Sequence, residues 1–304
     1  ADNLDKEAEK HGKKLQKIPG SELLYKDLNR CREILIKDLS RWNKNVSKEL
    51  LDEGIQMLLD RLVFIRVAED RGIESSTLIP LIRAWETSKN KNEIPLYKSM
   101  ISKFRELNDI YNSNLFTPHP FEDWEDYSDA TKRVINILYG KRSYYAYDFK
   151  VIPADILGGV YENYLGYQQT KGNDKRKGQG IYYTPAFIVD YIVENALKPV
   201  LDNCKSIADL KKVKVLDPAC GSGSFLIKAL DVINEKYKEF GNPGNEFTKI
   251  MILQENIYGV DLDEEAVEIA RLNLLINTLE TRMKLPKLDK NIKNGNSLIS
   301  GSDE

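Results

Sequence analysis

Cysteine, histidine and long apolar runs are all scarce in this chain of 304 residues, and each scarcity removes a class of protein. The three cysteines, Cys31, Cys204 and Cys220, lie far apart without a C-x-x-C spacing, so neither a disulfide framework nor a zinc site is suggested. The two histidines, His11 and His119, sit away from every motif described below, which leaves Ser-His or Cys-His hydrolysis without a base. No apolar run approaches the length of a membrane span, and the start, Ala1-Asp2-Asn3-Leu4-Asp5-Lys6, is not an apolar signal segment. A cytoplasmic protein is expected. Charge of one sign is also missing: 45 Lys and Arg against 47 Asp and Glu leave a net charge of -2, so bulk electrostatics make no case for nucleic-acid binding. There is no G-x-x-x-x-G-K-[ST] to hold a nucleoside triphosphate. The length is enough for two domains with cores of their own.

What is present begins with DPACGSGSFL, Asp217 to Leu226, between the apolar run Val213-Lys214-Val215-Leu216 and a helix-like segment through Leu230. A glycine-rich turn between a buried strand and a helix is where α/β proteins bind nucleosides. Gly221 and Gly223 let backbone N–H groups approach the ligand, and a helix N-terminus favours anionic groups. A dinucleotide fingerprint would place Gly where Leu226 stands, so NAD is disfavoured.

A second strand is expected at Ile257 to Asp261, with Asp261 at the carboxyl edge of a parallel sheet, where a carboxylate can accept two ribose hydroxyls. Asp263, followed by Glu264, Glu265 and an apolar helical pattern, reads as an N-cap. Asn291 to Ile299 reads as a short third strand with a Gly-Asn turn; after two such strand ends, Asn296 is placed to hydrogen-bond an adenine edge. Upstream, Thr184-Pro185 signals a helix start, Thr184 as N-cap and Pro185 at the first helical position. Thr184 and Tyr182 could close one side of the same pocket. Cys220 reads as a small buried side chain rather than a nucleophile. Asn242-Pro243-Gly244 is turn chemistry. Lys171, Lys175, Arg176 and Lys177 lie in a polar stretch, Gly166 to Gly180, read as a solvated loop.

The first half is all-helical. Helices are expected over Ser21 to Leu39, Ser47 to Ala68 (closed by Gly72), Ile79 to Trp85, Ile101 to Leu107 and Ala130 to Leu138 (ending at Gly140). In LLDRLVFIRVAEDRGI, Leu58 to Ile73, the charged residues Asp60, Arg61, Arg66, Glu69, Asp70 and Arg71 read as a solvated face with local ion pairs. A further helix is expected from Ile152 through Leu165.

Taken in order, GIYYTPAFIVDYIV, DPACGSGSFL, YGVDLDEEAVEIARLNLL and NGNSLI resemble the S-adenosylmethionine half of gamma-class N6-adenine DNA methyltransferases, of the type IIG fused restriction-modification kind. LLDRLVFIRVAEDRGI is similar to the helical segment that precedes that core. The resemblance implies a partial Rossmann-like α/β methyltransferase core with a parallel sheet over residues 151–304, preceded by an all-α connector domain over 1–150. It implies that Asp217 and the backbone of Ala219, Cys220, Gly221 and Gly223 hold the methionine end of S-adenosyl-L-methionine. Asp261 would take the ribose hydroxyls, Leu262 would pack on the adenine, Asn296 would accept from its amino group, and Thr184 and Tyr182 would lie over the cofactor. Many relatives have Asp where Asn296 stands.

The family flips the target adenine and holds it with an (N/D)PP(Y/F) motif. This sequence contains none, so a fragment truncated before that motif and inactive alone is expected, with no catalytic residue and no metal. Double-stranded DNA would be met mostly through domains outside these residues, and no membrane is involved. No PD-(D/E)xK nuclease site is evident, and oligomeric state is not legible. The alternatives left open are an RNA or protein-glutamine methyltransferase, or a non-catalytic module that binds cofactor or a partner.

Overall fold

A computed structural model describes residues 20–89, 94–111, 114–127, 129–140, 147–150, 152, 184 and 186–299. Tyr182, most of the helix expected after Ile152 and the basic Gly166 to Gly180 stretch lie outside these residues.

The first half is helical: α1 (Gly20–Trp42), α2 (Lys48–Asp70), α3 (Leu78–Thr87), α4 (Leu96–Tyr111), two 3-10 turns (Asn114–Phe116 and Pro120–Asp123) and α5 (Ala130–Leu138). α1 buries Leu24, Leu28, Cys31, Leu35 and Leu39, the stripe its three- and four-residue spacing predicts. The Ser47 side chain caps α2 by accepting from the Leu50 amide at 3.2 Å. Gly72, at φ 73°, turns the chain away at its other end.

The charged residues of α2 are not a solvated face. α2 packs against α1, α5, both 3-10 turns and a helix of the second half, so it has few sides left for water. Arg61 is fully buried. Its guanidinium donates to the Leu115 carbonyl at 2.8 Å, the Thr117 carbonyl at 2.6 Å and Glu122 at 2.7 Å. Arg66 pairs with Glu69 at 2.9 Å and Asp70 at 2.6 Å and lies 3.9 Å from the Tyr139 ring centroid. Glu69 in turn accepts from the Thr77 and Leu78 amides, supplying the N-terminal acceptor that Thr77 does not provide for α3. Asp70 accepts from the Phe149 amide at 2.9 Å. A helix placed at the centre of its domain thus carries the ionic groups that tie its neighbours to it.

The second half runs α6 (Ala186–Asn203), α7 (Ile207–Leu210), β1 (Val215–Asp217), α8 (Ser224–Glu239), α9 (Glu246–Glu255), β2 (Ile257–Asp261), α10 (Glu264–Thr278) and β3 (Ile292–Asn294). The strands form a parallel sheet in the order β1-β2-β3, with Asp217 opposite Gly259 and Asp261 opposite Asn294. Parallel neighbours need a crossover, and α8 with α9 and then α10 supply the two crossovers. Asn256, buried before β2, donates to the carbonyls of Leu210 and Val213 at 2.8 and 2.7 Å and fixes where β1 begins. β1 is shorter and less buried than its sequence suggests. It lies at an edge among the described residues, and Leu216 is 61% exposed.

α10 is the helix shared by the two halves. It buries Ala266, Val267, Ile269, Ala270, Leu272, Asn273, Leu274, Leu275 and Ile276 between the sheet and α2. Among the described residues no helix is long and apolar enough to cross a membrane.

Replacing Arg61 with Met keeps the bulk but strips the donors from the Leu115 and Thr117 carbonyls and one cation from Glu122. Removing one partner of a buried ionic cluster costs about 3–5 kcal/mol. Arg61→Met should therefore lower the urea midpoint by a corresponding amount at unchanged m-value. A midpoint equal to the wild type would contradict the network.

Candidate functional site

The sheet's carboxyl edge is organised around Asp261, the last residue of β2. Its Oδ2 accepts from the Gly221 amide at 2.8 Å and its Oδ1 from the Asp263 amide at 2.9 Å, while its carbonyl accepts from the Gly295 amide at 2.9 Å. One residue therefore joins the turn after β1, the start of α10 and the turn after β3. Each carboxylate oxygen keeps a free lone pair, so a ligand carrying two neighbouring hydroxyls finds two acceptors.

The glycine turn takes the shape its composition implies. The Cys220 amide donates to the Val260 carbonyl at 2.9 Å, and the Gly223 amide donates to the Cys220 carbonyl at 2.8 Å. Gly221 and Gly223 adopt φ of 51° and 88°, and Gly223 opens α8 in the left-handed region. A Cβ on Gly223 would also stand 3.2 Å from the Ala270 Cβ, so the turn lies directly on α10. Beneath it, Gly259 in β2 makes room for Cys220 and Leu226; a Cβ there would be 2.8 Å from Leu226 Cδ1. Ser222 is held from α10 as well, its carbonyl accepting from Asn273 Nδ2 at 3.0 Å.

The predicted residues divide as follows. Asp217 ends β1, and its Oδ1 accepts from the Ala219 amide at 3.1 Å. Burial, with the neighbouring Asp261 carboxylate, pushes Asp217 above the usual carboxylate range against the pull of that amide. Cys220 is buried beside Gly259, and burial pushes its thiol up to about 12, which suits packing and not nucleophilic attack. Leu262 is 73% exposed, an apolar side chain standing in water beside the Asp261 carboxylate. Asp263 caps α10 by accepting from the Glu265 amide at 3.0 Å.

Asn296 is not itself a strand end. β3 stops at Asn294, and the exposed Asn296 follows in a turn, its Oδ1 accepting from the Leu298 amide at 3.0 Å. Gly295 lies between them with φ 156° and is bonded to Asp261, which brings this turn to the same edge. Thr184 precedes α6 by two residues, half-buried. Asn242-Pro243-Gly244 is a turn, with Asn242 Oδ1 accepting from the Gly244 amide at 3.1 Å.

Residues 153–303 match the family model described as N-6 DNA methylase. Those residues, just under half of the chain, fall within the N-6 DNA methylase family. The chain is 26% identical to the type II restriction enzyme and methyltransferase RM.Eco57I of Escherichia coli, over 99% of this chain and 32% of that protein. It is 27% identical to the putative type II restriction enzyme and methyltransferase RM.MjaORFECS2P of Methanocaldococcus jannaschii, over 82% of this chain and 27% of that protein. The chain thus spans about a third or less of the length of these relatives. Among solved structures, the type IIL restriction-modification enzyme MmeI in complex with DNA shares the fold at a TM-score of 0.57 and 17% identity, over 88% of this chain and 40% of that one.

A second concavity is not announced by the sequence. Between α2 and α10 lies a cleft of about 760 Å³ lined by Glu49, Asp52, Glu53 and Asp60 from one side and Glu264, Glu265 and Glu268 from the other. Lys287 and His119 also line it, Asp52 is paired with Arg32, and burial pushes Glu265 and Glu268 above the usual carboxylate range. Sequence reading misses the cleft because its two walls lie some 200 positions apart in the chain.

Asp217 gives a testable pH dependence. Its folded-state affinity for protons exceeds that of the unfolded chain, so the stability it contributes is full below the unfolded carboxylate range and is lost as pH rises through the raised value. Asp217→Asn keeps an oxygen for the Ala219 amide and removes the charge. Its melting temperature should match the wild type near pH 3.5 and exceed it at pH 7; a gap that is constant with pH would contradict the desolvated carboxylate.

Proposed function

We propose that this chain is the cofactor-binding part of a site-specific DNA adenine N6-methyltransferase of a restriction-modification system. In this reading residues 151–304 are the N-terminal part of a Rossmann-like core that holds S-adenosylmethionine, and residues 1–150 are a helical connector. The observation that carries it is the double engagement of Asp261, which presents two free acceptor positions beside a glycine turn and an exposed Leu262. The names of the relatives supply the substrate class: they are restriction enzymes and methyltransferases, a type I methylase subunit of Methanocaldococcus jannaschii among them at 30% identity over 54% of this chain.

The residues at the edge fit an adenosyl ligand by the chemistry of their atoms. Asp261 accepts the two ribose hydroxyls with the lone pairs left by Gly221 and Asp263. Leu262 covers one face of the adenine ring, where burying an exposed leucine against a flat apolar surface is favourable. Asn296 offers its amide to the adenine edge, exchanging its bond to the Leu298 amide for one to the ligand. Asp217, with Oδ1 committed to Ala219, faces an ammonium with its other oxygen, and a cation there offsets the desolvation that raises its proton affinity. Thr184, ahead of α6, is assigned to the remaining side; Tyr182, given the same role by the family resemblance, lies outside the described residues. Bound S-adenosylmethionine supplies an electrophilic methyl group. The residues of this chain bind and orient it; none is assigned the proton transfer or the contact to the target base, since no (N/D)PP(Y/F) motif occurs among them.

Calorimetric titration with S-adenosylmethionine tests the reading. Leu262→Ala disturbs no packing, so its effect reports on the ligand; removing roughly three methylene-sized groups from a buried contact weakens affinity by about 1–2 kcal/mol, or about tenfold. Asp261→Ala, which also frees the Gly221 and Asp263 amides, should abolish measurable binding. Identical heats for the wild type and both variants would refute the assignment of the adenosyl site.

A further inference from the structure

α10 starts at the proposed cofactor site and ends against the helical half. At its start, Asp263 caps it two residues after Asp261. Near its middle, Asn273 is fully buried and sends its only bonded polar atom, Nδ2, to the Ser222 carbonyl, while Ala270 supports Gly223. At its end, where a helix runs short of donors for its carbonyls, the Leu279 amide serves Leu275 at 3.0 Å and reaches Ile276 only at 3.4 Å. Arg71, the first residue after α2, reaches across and donates from Nη1 to the carbonyls of Ile276 at 2.5 Å and Leu279 at 3.1 Å. A guanidinium at this position also complements the negative end of the helix. Two more links fix the same junction. Glu74 accepts from Tyr111 at 2.8 Å and from Arg282 at 3.0 Å, and the Leu285 amide donates to the Tyr111 carbonyl at 2.8 Å.

From this geometry we infer that Arg71 is a positioning residue for the cofactor site: by clamping the C-terminal carbonyls of α10 it sets where that helix lies along its axis, and so where the glycine turn and Asp261 stand. The inference rests on the cofactor reading above, and Arg71 itself touches no ligand. A rigid helix transmits displacement along its length, and a bound constellation tolerates only about 0.5 Å of error. The contacts at risk are short: Asn273 to Ser222 at 3.0 Å and Gly221 to Asp261 at 2.8 Å. Losing the clamp lets α10 shift, and both bonds weaken with distance. Coupling of this kind is reciprocal, so a ligand that orders the glycine turn also tightens the junction between the halves.

The test uses the full chain with Arg71→Ala, with Arg71→Lys, which keeps a cation with several N–H donors, and with Tyr97→Phe as control. Tyr97 donates to the Phe121 carbonyl at 2.6 Å inside the helical half, so its loss matches a buried hydrogen bond without involving α10. Hydrogen exchange followed by mass spectrometry reads the peptides holding Gly221, Gly223 and Asp263, and calorimetry reads S-adenosylmethionine affinity. Arg71→Ala should speed exchange in these peptides and weaken affinity, each by about fivefold or more. Arg71→Lys should restore most of both, and Tyr97→Phe should change neither. Unchanged exchange in Arg71→Ala overturns the inference, as does an equal effect from Tyr97→Phe. A wild-type chain that gives no heat, with exchange still sensitive to Arg71, counts against the cofactor reading and not against the clamp. Should Arg71→Ala fail to fold, Arg71→Gln takes its place with the same outcomes, since its amide serves at most one carbonyl well.

Discussion

The hydrogen bond between the Asp261 carboxylate and the Gly221 amide holds the rest of the site in place. Without it, the end of β2 and the glycine turn would be two neighbouring loops. With it, and with the second oxygen on Asp263, a single side chain fixes the turn after β1 and the entry to α10. A charge-assisted bond of this kind is stronger than one between neutral groups, and a carboxylate already satisfied by two amides is held in one orientation. What it presents to a ligand is therefore pre-set, and little ordering entropy is left for binding to supply.

Support for that bond comes from both sides of α10. On one side the sheet and the turn rest on Ala270 and Asn273; on the other, α2 and its ionic network form the wall behind the helix. The network of Arg66, Glu69 and Asp70 is internal to the helical half, capping α3 and fixing Phe149, whereas Arg71 reaches across the junction. The carboxylate-lined cleft opens along the same junction, so the surface between the halves combines a clamped end with an open one.

Much of this was legible in the sequence for local reasons. The stripe of α1, the Ser47 and Asp263 caps, the end of α5 at Leu138 and the positive φ at Gly72, Gly221 and Gly223 all follow from spacing or residue type within a few positions. What failed was long-range. A mixed run of Asp, Arg and Glu reads as a wet face with local ion pairs; the local pairs of Arg66 with Glu69 and Asp70 are present, but Arg61 is buried because its partners at Leu115, Thr117 and Glu122 arrive from some 55 to 60 positions further on. β1 looked fully buried from its apolar letters, but burial depends on neighbours that an edge position does not have. The sequence puts Asn296 at a strand end because turn residues after an apolar run do not mark where the ladder stops; Asn294, paired with Asp261, ends it. An isolated Asn273 in the apolar run of α10 was the one signal that could have revealed the brace on Ser222.

The most direct test of the central claim is the structure of the chain crystallised with S-adenosylmethionine. The account predicts ligand density at the carboxyl edge of the sheet, with both ribose hydroxyls on Asp261 and the adenine against Leu262, and with the Gly221 bond retained. A ligand seated in the cleft between α2 and α10, or an Asp261 carboxylate turned away from the ribose, would contradict it.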